Sequence, residues 1–483
     1  MAAPEFTIPR YRRPVRRRYA ALLIAVLCLN LVLAPLAAAP AHAFGFGEFT
    51  VKDEIELGKK FRVLVKSRLP IIEDPEIADY VRELVARLQA VIPPQPFPFE
   101  TSVVLDNNMN AFATPGGYVF VYTGLLLNLE NESEVAGVLA HELAHVTQRH
   151  VAKRIEAAQK VSLLSMAGLL AGLLLGKGEA KDAMLFGTAA ATQAAMLNYS
   201  RTDEREADQM GMQYLIKAGF SPWGLPGAFK HIQNQQWRSG GGVPQYLSTH
   251  PDVQQRIQYL SNQVRLLPAA QREIKDDNTR FRRIQTLIRA RFADQEAAMH
   301  YFNNSGTLPP ELALMGKGIV YARQNKISTA AEFFDQAVSL APSDALVLRE
   351  AGRFHYNKGD SKRAAGLLQR AVMNNPHDLM ALFFFARLLA DNGQVDKAVE
   401  YYRQVLQKLP EDSEVHYYYG RMLGENNRLF EGHLQLAYSA LYANNKRKVE
   451  FHRKQAETLA RTEDDKAELE RFDTRHAERA EFW

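Results

Sequence analysis

A repeat of 34 residues dominates the C-terminal third of the chain. Pro342, Pro376 and Pro410 are 34 residues apart, and three further registers keep the same step. Mostly small residues occupy those registers: Ala330, Ala364 and Ala398; Gly318, Gly352, Ala386 and Gly420; Ala337, Ala371, Val405 and Ser439. Small side chains at fixed positions let paired helices pack closely, and a proline closes each unit. Agreement in four registers is hard to obtain by chance, so we predict stacked helical hairpins here.

A helix–turn–helix period of this length is typical of tetratricopeptide (TPR) repeats. We therefore predict an all-α TPR solenoid over residues 308–445, whose last unit has Asn444 where proline is expected. The charged tail 446–483 is predicted to form capping helices, because end repeats need a polar outer face. Residues 266–307 are predicted to be a helical connector, and an irregular helical pair near 280–305 could cap the other end of the solenoid.

The N-terminus has the pattern of a secretory signal peptide. Six arginines precede the apolar run AALLIAVLCLNLVLAPLAAA, and the small-residue site Ala41-His42-Ala43 follows it. Cleavage of residues 1–43 is favoured over a retained membrane anchor. It would remove Cys28, the only cysteine, and leave 53 basic and 53 acidic side chains. The exported chain is therefore predicted to be neutral and without disulfides, which gives no argument for nucleic acid as a partner.

Residues 44–265 are predicted to form one α-rich domain with a small sheet. FGEFTVKDEIELGKKFRVLVK and DPEIADYVRELVARLQAVI are amphipathic with helical spacing, whereas PFETSVVLD and YVFVY have strand character. The apolar run VSLLSMAGLLAGLLLG (161–176) is shorter than the roughly 20 residues that span a bilayer. For 161–200 we favour a helical hairpin, packed on the domain or in contact with a membrane surface, over a spanning segment.

The stretch VLAHELAHVTQRH, residues 138–150, contains the strongest chemical signal. His141 and His145 are four residues apart, so on a helix they lie on one face, where two imidazoles can share a tetrahedral zinc ion. Glu142 is offset by about 100° and can act beside the metal as a base toward water. His150 is turned about 140° away and is not predicted to be a ligand. The alternative is a core helix with two hydrogen-bonded histidines.

The run SRTDEREADQMGMQYL could supply what the motif lacks. Glu204 and Asp208 are four residues apart on a predicted helix and can face the same way. Glu204 could complete a His₂Glu zinc set, and Asp208 could accept the second N–H of a ligating imidazole. The alternative is a solvated charged face, but beside HELAH the metal site is favoured. One zinc ion per chain is the predicted cofactor.

HELAH, TDEREAD and NAFATPGGYVFVYTGLL together resemble the HtpX/CAAX-prenyl-protease family of zinc metallopeptidases. The resemblance implies an α+β zincin-like (gluzincin) domain, mostly helical with a small sheet, and Glu204 rather than Glu206 as the third ligand. It also implies that an edge strand containing Asn110, Ala111 and Phe112 pairs with extended substrate, as open strand edges can. The alternative is a strand that only supports the sheet.

With its export signal and TPR array, the chain is similar to the subgroup of bacterial periplasmic β-barrel assembly-enhancing proteases. This implies that His250, in LSTHPDVQQRI, is a reversible fourth zinc ligand; the alternative is a histidine that only precedes the next helix. Arg201, Arg205 and His231 are candidates for steadying an oxyanion by residue type alone.

The implied function is a periplasmic zinc endopeptidase, with a chaperone-like role, that acts on misfolded or stalled outer-membrane proteins. Its general base would be Glu142. The TPR array would dock to the outer-membrane assembly machinery, with possible peripheral membrane contact and no nucleic acid. The alternative is a non-catalytic TPR adaptor or chaperone, in which zinc is structural or regulatory.

Overall fold

The fold comes from a computed structural model, which describes residues 49–72, 74–157, 200–238 and 245–480. The predicted signal peptide and nearly all of the apolar segment 161–200 lie outside the described residues. Among the helices that are described, none combines the length and apolar character needed to cross a membrane.

A four-stranded sheet is the only β-structure in the described residues. Its strands are β1 (Ile71–Ile72), β2 (Glu100–Val104), β3 (Ala111–Thr114) and β4 (Tyr118–Tyr122), in the order β1-β2-β4-β3. β2 and β4 run parallel, and the other two pairs are antiparallel. The segment with the predicted substrate edge is therefore at one margin of the sheet.

The turn between β3 and β4 depends on two glycines. Gly116 and Gly117 have φ values of 78° and 85°, a region that glycine adopts without steric cost. Gly58 of helix α1 (Val51–Arg68) packs on the same turn, and a Cβ there would lie 2.1 Å from the carbonyl oxygen of Pro115. The predicted Gly-Gly turn is thus fixed by backbone conformation and by close packing.

This domain contains eight more helices in the described residues, and the one that bears HELAH is buried along nearly its whole length. They are α2 (Pro75–Gln89), α3 (Thr123–Asn128), α4 (Glu132–Thr147), α5 (His150–Ala157), α6 (Arg201–Lys217), α7 (Gly224–Arg238), α8 (Gln245–Thr249) and α9 (Val253–Leu266). α4 begins at Asn131, whose side chain accepts a hydrogen bond from the backbone N–H of Glu134 at 2.9 Å. This is an N-cap, which satisfies one of the free amides of the first turn.

The rest of the described chain is helical. The connector contains α10 (Ala269–Arg272), α11 (Thr279–Phe292) and α12 (Gln295–Asn304). Four helix pairs follow: α13 (Pro310–Arg323) with α14 (Ile327–Leu340), α15 (Ala345–Asn357) with α16 (Ser361–Asn374), α17 (Leu379–Asp391) with α18 (Val395–Lys408), and α19 (Ser413–Glu425) with α20 (Leu429–Tyr442). α21 (Lys446–Leu459) and α22 (Glu463–Ala480) come last. The predicted fold class, an α+β domain followed by an all-α repeat array, is confirmed.

The small residues of the 34-residue period lie where the two helices of a repeat cross. A Cβ on Gly318 would lie 3.1 Å from the ring of Phe334, and one on Gly352 would lie 2.8 Å from Cγ of Leu368. The small residues of the repeat pattern are therefore explained by the close packing of the two helices.

Buried ion pairs join the repeats to the first domain. Arg291 of α11 contacts both Asp74, at the start of α2, and Glu350 of α15. Arg349, also on α15, places Nη1 3.0 Å from Oε2 of Glu76 on α2. Because buried charges are tolerated when they are paired, these contacts fix the repeats in one orientation on the domain.

A second contact between the repeats and the first domain involves Glu411, which lies between the third and the fourth helix pair. The Glu411 carboxylate lies 2.5 Å from Lys66 Nζ and 3.1 Å from Arg62 Nη2, both on α1. Residues from Phe49 onward form one compact unit. The boundaries drawn at 265, 307 and 445 remain predictions.

Candidate metal centre

Four side chains from three parts of the chain meet in a buried cluster. His141 Nε2 and His145 Nε2 of α4 are 3.0 Å apart. Glu204 of α6 places Oε2 3.6 Å from His141 Nε2 and Oε1 3.4 Å from His145 Nε2. His250, just after α8, places Nδ1 3.4 Å from His141 Nε2 and 3.0 Å from Glu204 Oε1. The donor atoms of these four residues all lie within 4.8 Å of one another.

The donor geometry fits a zinc ion. Ligands at about 2.1 Å in a tetrahedron are roughly 3.4 Å apart, and the distances above run from 3.0 to 3.6 Å. Imidazole nitrogen and carboxylate oxygen are the ligands that zinc takes in hydrolytic sites. Burial lowers the pKa of His145 well below its ordinary value, which keeps the imidazole neutral and able to ligate.

The crossing of α4 and α6 explains how distant residues meet. A Cβ on Gly211 would lie 3.0 Å from the backbone nitrogen of His141, so the two helices touch there. Ser200 caps α6 by accepting a hydrogen bond from the N–H of Asp203, which fixes where the helix begins. Glu204 in the first turn is consequently held against α4.

Glu142 points into the same cluster without belonging to the four donors. Burial raises the pKa of its carboxyl group, although the neighbouring His250 and His141 oppose this. The backbone N–H of Ala113 on β3 donates to the carboxylate. Oε1 of Glu142 accepts no hydrogen bond within the described part of the chain and lies 3.6 Å from His250 Nε2. A buried carboxylate with a free oxygen and a raised pKa has the properties of a general base.

His250 is held by an aromatic contact. Its ring stacks on that of Tyr246 with centroids 4.4 Å apart and planes 21° from parallel. Burial lowers the pKa of His250, but Glu204 and Glu142 outweigh it and the net pKa is raised. The residue predicted as a reversible ligand thus faces the cluster with one ring nitrogen and Glu142 with the other.

Asp208 lies where the sequence predicted a partner for a ligating histidine. Its Oδ1 is 3.0 Å from His141 Nδ1, and Arg256 Nε donates to Oδ2 at 2.8 Å. Burial alone would raise the pKa of Asp208, but Arg256 and the hydrogen bond with His141 lower it to about 2. Tyr259 also donates to this carboxylate, and Arg256 contacts Glu204 as well. Asp208 is therefore ionised and fixed.

Sequence reasoning missed Arg256. It is buried on α9, and its guanidinium carbon lies 4.2 Å from the ring centroid of Phe229. The available signal was its position in HPDVQQRI, six residues after His250. An arginine six residues beyond a candidate ligand is not distinctive by itself, and its carboxylate partners, Glu204 and Asp208, come from α6.

The position of His150 follows from a break in the helix. Arg149 has φ of 53°, α4 ends at Thr147, and His150 begins α5. The angular argument that turned His150 away assumed a continuous helix and was wrong in that premise. His150 Nδ1 lies 2.9 Å from Nδ1 of His145, and its Nε2 lies 3.2 Å from Glu206 Oε2. It is outside the group of four donors but touches one of them.

The three basic residues named for an oxyanion have other neighbours. Arg201 pairs with Asp252, and Arg205 lies over a tyrosine ring. His231 Nε2 is 3.4 Å from Glu134 Oε1. These contacts give no support to a role at the metal centre.

The strand register decides which main-chain groups of β3 face outward. The N–H of Tyr122 donates to the carbonyl oxygen of Asn110 at 3.0 Å, so Asn110 and, two residues on, Phe112 hydrogen-bond toward β4. Ala111 and Ala113 therefore direct their N–H and C=O groups to the free margin. The contact of the Ala113 N–H with Glu142 agrees with this phase.

A helix with HExxH, a glutamate from a second helix and an adjacent strand margin are the elements of a zinc-metallopeptidase type of site. Residues 72–264 match peptidase family M48, and residues 315–378, 349–413 and 384–429 match the tetratricopeptide repeat. The chain carries a peptidase family M48 domain followed by C-terminal tetratricopeptide repeats. The predicted family resemblance is thereby confirmed.

Similar proteins have related names. The putative beta-barrel assembly-enhancing protease of Vibrio cholerae is 33% identical over 308 residues, which cover 62% of this chain and 63% of that protein. The beta-barrel assembly-enhancing protease of Escherichia coli (strain K12) is 31% identical over 253 residues, 51% of this chain and 52% of that protein. The mitochondrial metalloendopeptidase OMA1 of Schizosaccharomyces pombe is 33% identical over 207 residues, 41% and 56% respectively. The chain thus spans 63% and 52% of the two bacterial relatives.

Proposed function

We propose that this protein is a periplasmic zinc endopeptidase, with a chaperone-like role, in the quality control and assembly of outer-membrane proteins. The observation that carries the proposal is the buried donor set His141, His145 and Glu204 with Glu142 beside it. The names of the bacterial relatives support a role in β-barrel assembly. The export pattern of residues 1–43 supports a periplasmic location.

The side chains divide the chemistry among them. A zinc ion would supply Lewis acidity, polarising a peptide carbonyl and making water more acidic. Glu142 takes the proton of the attacking water and returns it to the leaving amine. Asp208 accepts from Nδ1–H of His141, which leaves the lone pair on Nε2 for the ligand role. The Ala113 N–H keeps the Glu142 carboxylate oriented.

The substrate would bind as an added strand at the free margin of β3. Ala111 offers main-chain groups there, and pairing of this kind accepts many sequences, because it uses backbone atoms. Asn110 and Phe112, the other two predicted residues, would support the strand from the β4 side. Misfolded or stalled outer-membrane proteins have extended segments that suit this mode.

A second function is favoured by one contact. His250 Nδ1 is 3.0 Å from Glu204 Oε1, so it can fill the position that a catalytic site keeps open. A protein permanently in that state would be a TPR adaptor or chaperone with a structural or regulatory zinc ion.

Metal content is the test of the site. In the chain from Phe44 onward, we expect about one zinc per chain, and Glu204→Gln should weaken zinc binding by at least about 100-fold, since it replaces a charged ligand. Glu206→Gln is the matched control on the same helix and should bind zinc like wild type. Competition with a chromophoric chelator gives both affinities. Equal zinc affinity in the Glu204 variant and wild type would remove the basis of the proposal.

The fourth ligand has its own test. His250→Ala should raise basal cleavage of an unfolded protein substrate about tenfold if the closed state holds some nine-tenths of the molecules. His250→Ala is also made together with Glu142→Gln, which is expected to abolish self-cleavage. Degradation that persists in the double variant would then indicate loss of stability. Unchanged activity together with unchanged zinc affinity would refute the switch, and loss of activity would indicate an ordinary structural or catalytic role.

A further inference from the structure

Three arginines recur at the 34-residue step on the first helices of successive repeats. Arg353, Arg387 and Arg421 belong to α15, α17 and α19. Aromatic rings alternate with them: Arg353 lies 5.1 Å from the ring centroid of Phe384, and Arg387 and Arg421 lie 3.6 Å and 5.8 Å from that of Tyr418. These five residues are called the arginine ladder below.

Two of the three guanidinium groups form no direct ion pair within the part of the chain that the structure describes. Arg421 pairs with Glu425 at 3.0 Å, whereas neither Arg353 nor Arg387 is ion-paired with a carboxylate in the described ranges. Nε of Arg387 is buried without a hydrogen-bond partner there. The nearby Glu350 is already engaged by two other arginines. Cations partly removed from water without a counterion are costly, which points to an anionic ligand.

The ladder begins in a cavity. A space of about 560 Å³ lies between the first helices of the repeats and the metallopeptidase domain. Arg353, Phe354 and Met380 line it on the repeat side, and Ile71 lines it on the domain side. Burial and the like charge of Arg291 lower the pKa of Arg353, although the carboxylates of Glu350, Asp74 and Glu414 oppose this. The cavity thus combines space, a lining with apolar and charged parts, and a guanidinium without a direct ion pair in the described ranges.

We propose that the arginine ladder binds an extended polypeptide segment through its acidic side chains, one carboxylate to each guanidinium. The inference deepens the proposed docking role of the repeats by naming the chemistry of what they bind. A guanidinium fork matches a carboxylate in two parallel hydrogen bonds, and an aromatic face holds the fork planar and oriented. Because the arginines recur on three repeats, they suit several carboxylates spaced along a peptide better than the single carboxylate of a C-terminus.

Nucleic acid is the other ligand that arginine–aromatic surfaces take. Four cations line the cavity, but so do four acids (Asp74, Glu350, Asp412 and Glu414), so it has no excess of positive charge for a phosphate chain. A nucleotide chain has a phosphate at every step and cannot avoid them, whereas a peptide can place its carboxylates between them.

Binding can be measured without catalysis. The full chain from Phe44 onward carrying Glu142→Gln is titrated into a labelled extended peptide with spaced glutamates, and into the same peptide with glutamines, by fluorescence anisotropy. The glutamate peptide should bind about tenfold more tightly, as one or two charge-assisted hydrogen bonds predict. Arg353→Gln with Arg387→Gln should remove that difference.

Arg363→Gln is the matched control, since it changes an exposed arginine on α16, the second helix of a repeat. Arg387→Lys should retain more affinity than Arg387→Gln, and circular dichroism of each variant checks that the repeats remain folded. Equal affinity for the two peptides, an equal loss with Arg363→Gln, or tighter binding of a single-stranded oligonucleotide would overturn the inference. Since neither cleavage nor zinc enters the measurement, these outcomes are independent of the proposed peptidase function.

Discussion

Glu142→Gln is expected to lower the rate of peptide hydrolysis by roughly 10²–10⁴-fold, the range for loss of a positioned general base. Zinc content should stay at the wild-type level, because Glu142 is outside the group of four donors. Glutamine keeps the size and can still accept the Ala113 N–H, so the fold around β3 should be preserved. Initial rates on an unfolded protein substrate, with zinc measured on the same samples, test both parts.

Glu130→Gln is the control for this substitution. Glu130 precedes the same helix, is largely exposed, and lies beside His231 rather than the cluster. Its replacement should leave the rate within about twofold of wild type, as surface changes of small free energy do. Metal-dependent hydrolysis that persists at the wild-type rate in Glu142→Gln would contradict its assignment as base.

Arg256→Gln is expected to lower the free energy of unfolding by about 3–5 kcal/mol, the cost of leaving a buried charge without its partner. Arg256 is the shared cation of Asp208 and Glu204, which are both buried. The loss should be largest in chelator-treated protein, because zinc would compensate part of the charge on Glu204. Urea unfolding with and without zinc measures it.

Arg265→Gln on the same helix is the matched control. Arg265 is exposed, and within the described residues its guanidinium hydrogen-bonds only to Asn262, at 3.3 Å, so the expected change is below about 0.5 kcal/mol. If Arg256→Gln does not fold, Arg256→Lys provides the measurement: it keeps the charge, loses the fork and should be intermediate. An unfolding free energy of Arg256→Gln equal to wild type would show that the two carboxylates need no partner.

Much of the site follows from spacing along single helices. His141, Glu142 and His145 can be read as two ligands and a base because a helix places i and i+4 on one face. The same rule paired Glu204 with Asp208, and the family resemblance supplied the link between the two helices. The repeat array was equally predictable, since each unit packs mainly on its neighbours and leaves a regular trace of small residues.

Other features needed the packed molecule. Arg256 is 48 residues from Asp208, and nothing local marks it as a counterion. The angular argument about His150 assumed a continuous helix, whereas α4 ends at Thr147 and the left-handed residue Arg149 separates it from α5. Which of Ala111 and Phe112 faces the free margin depends on a pairing register that a shift of one residue would reverse.

The sequence by itself determined the helix that bears the candidate ligands and the repeat period. These depend on contacts within a few residues, where backbone geometry is fixed. The tertiary structure decided the charge balance of the buried carboxylates, the phase of the edge strand and the juxtaposition of the arginine ladder with the metallopeptidase domain. These features depend on which surfaces, distant in sequence, pack together. The burial and the hydrogen-bond partners of the residues involved follow from that packing, and no local sequence pattern relates them.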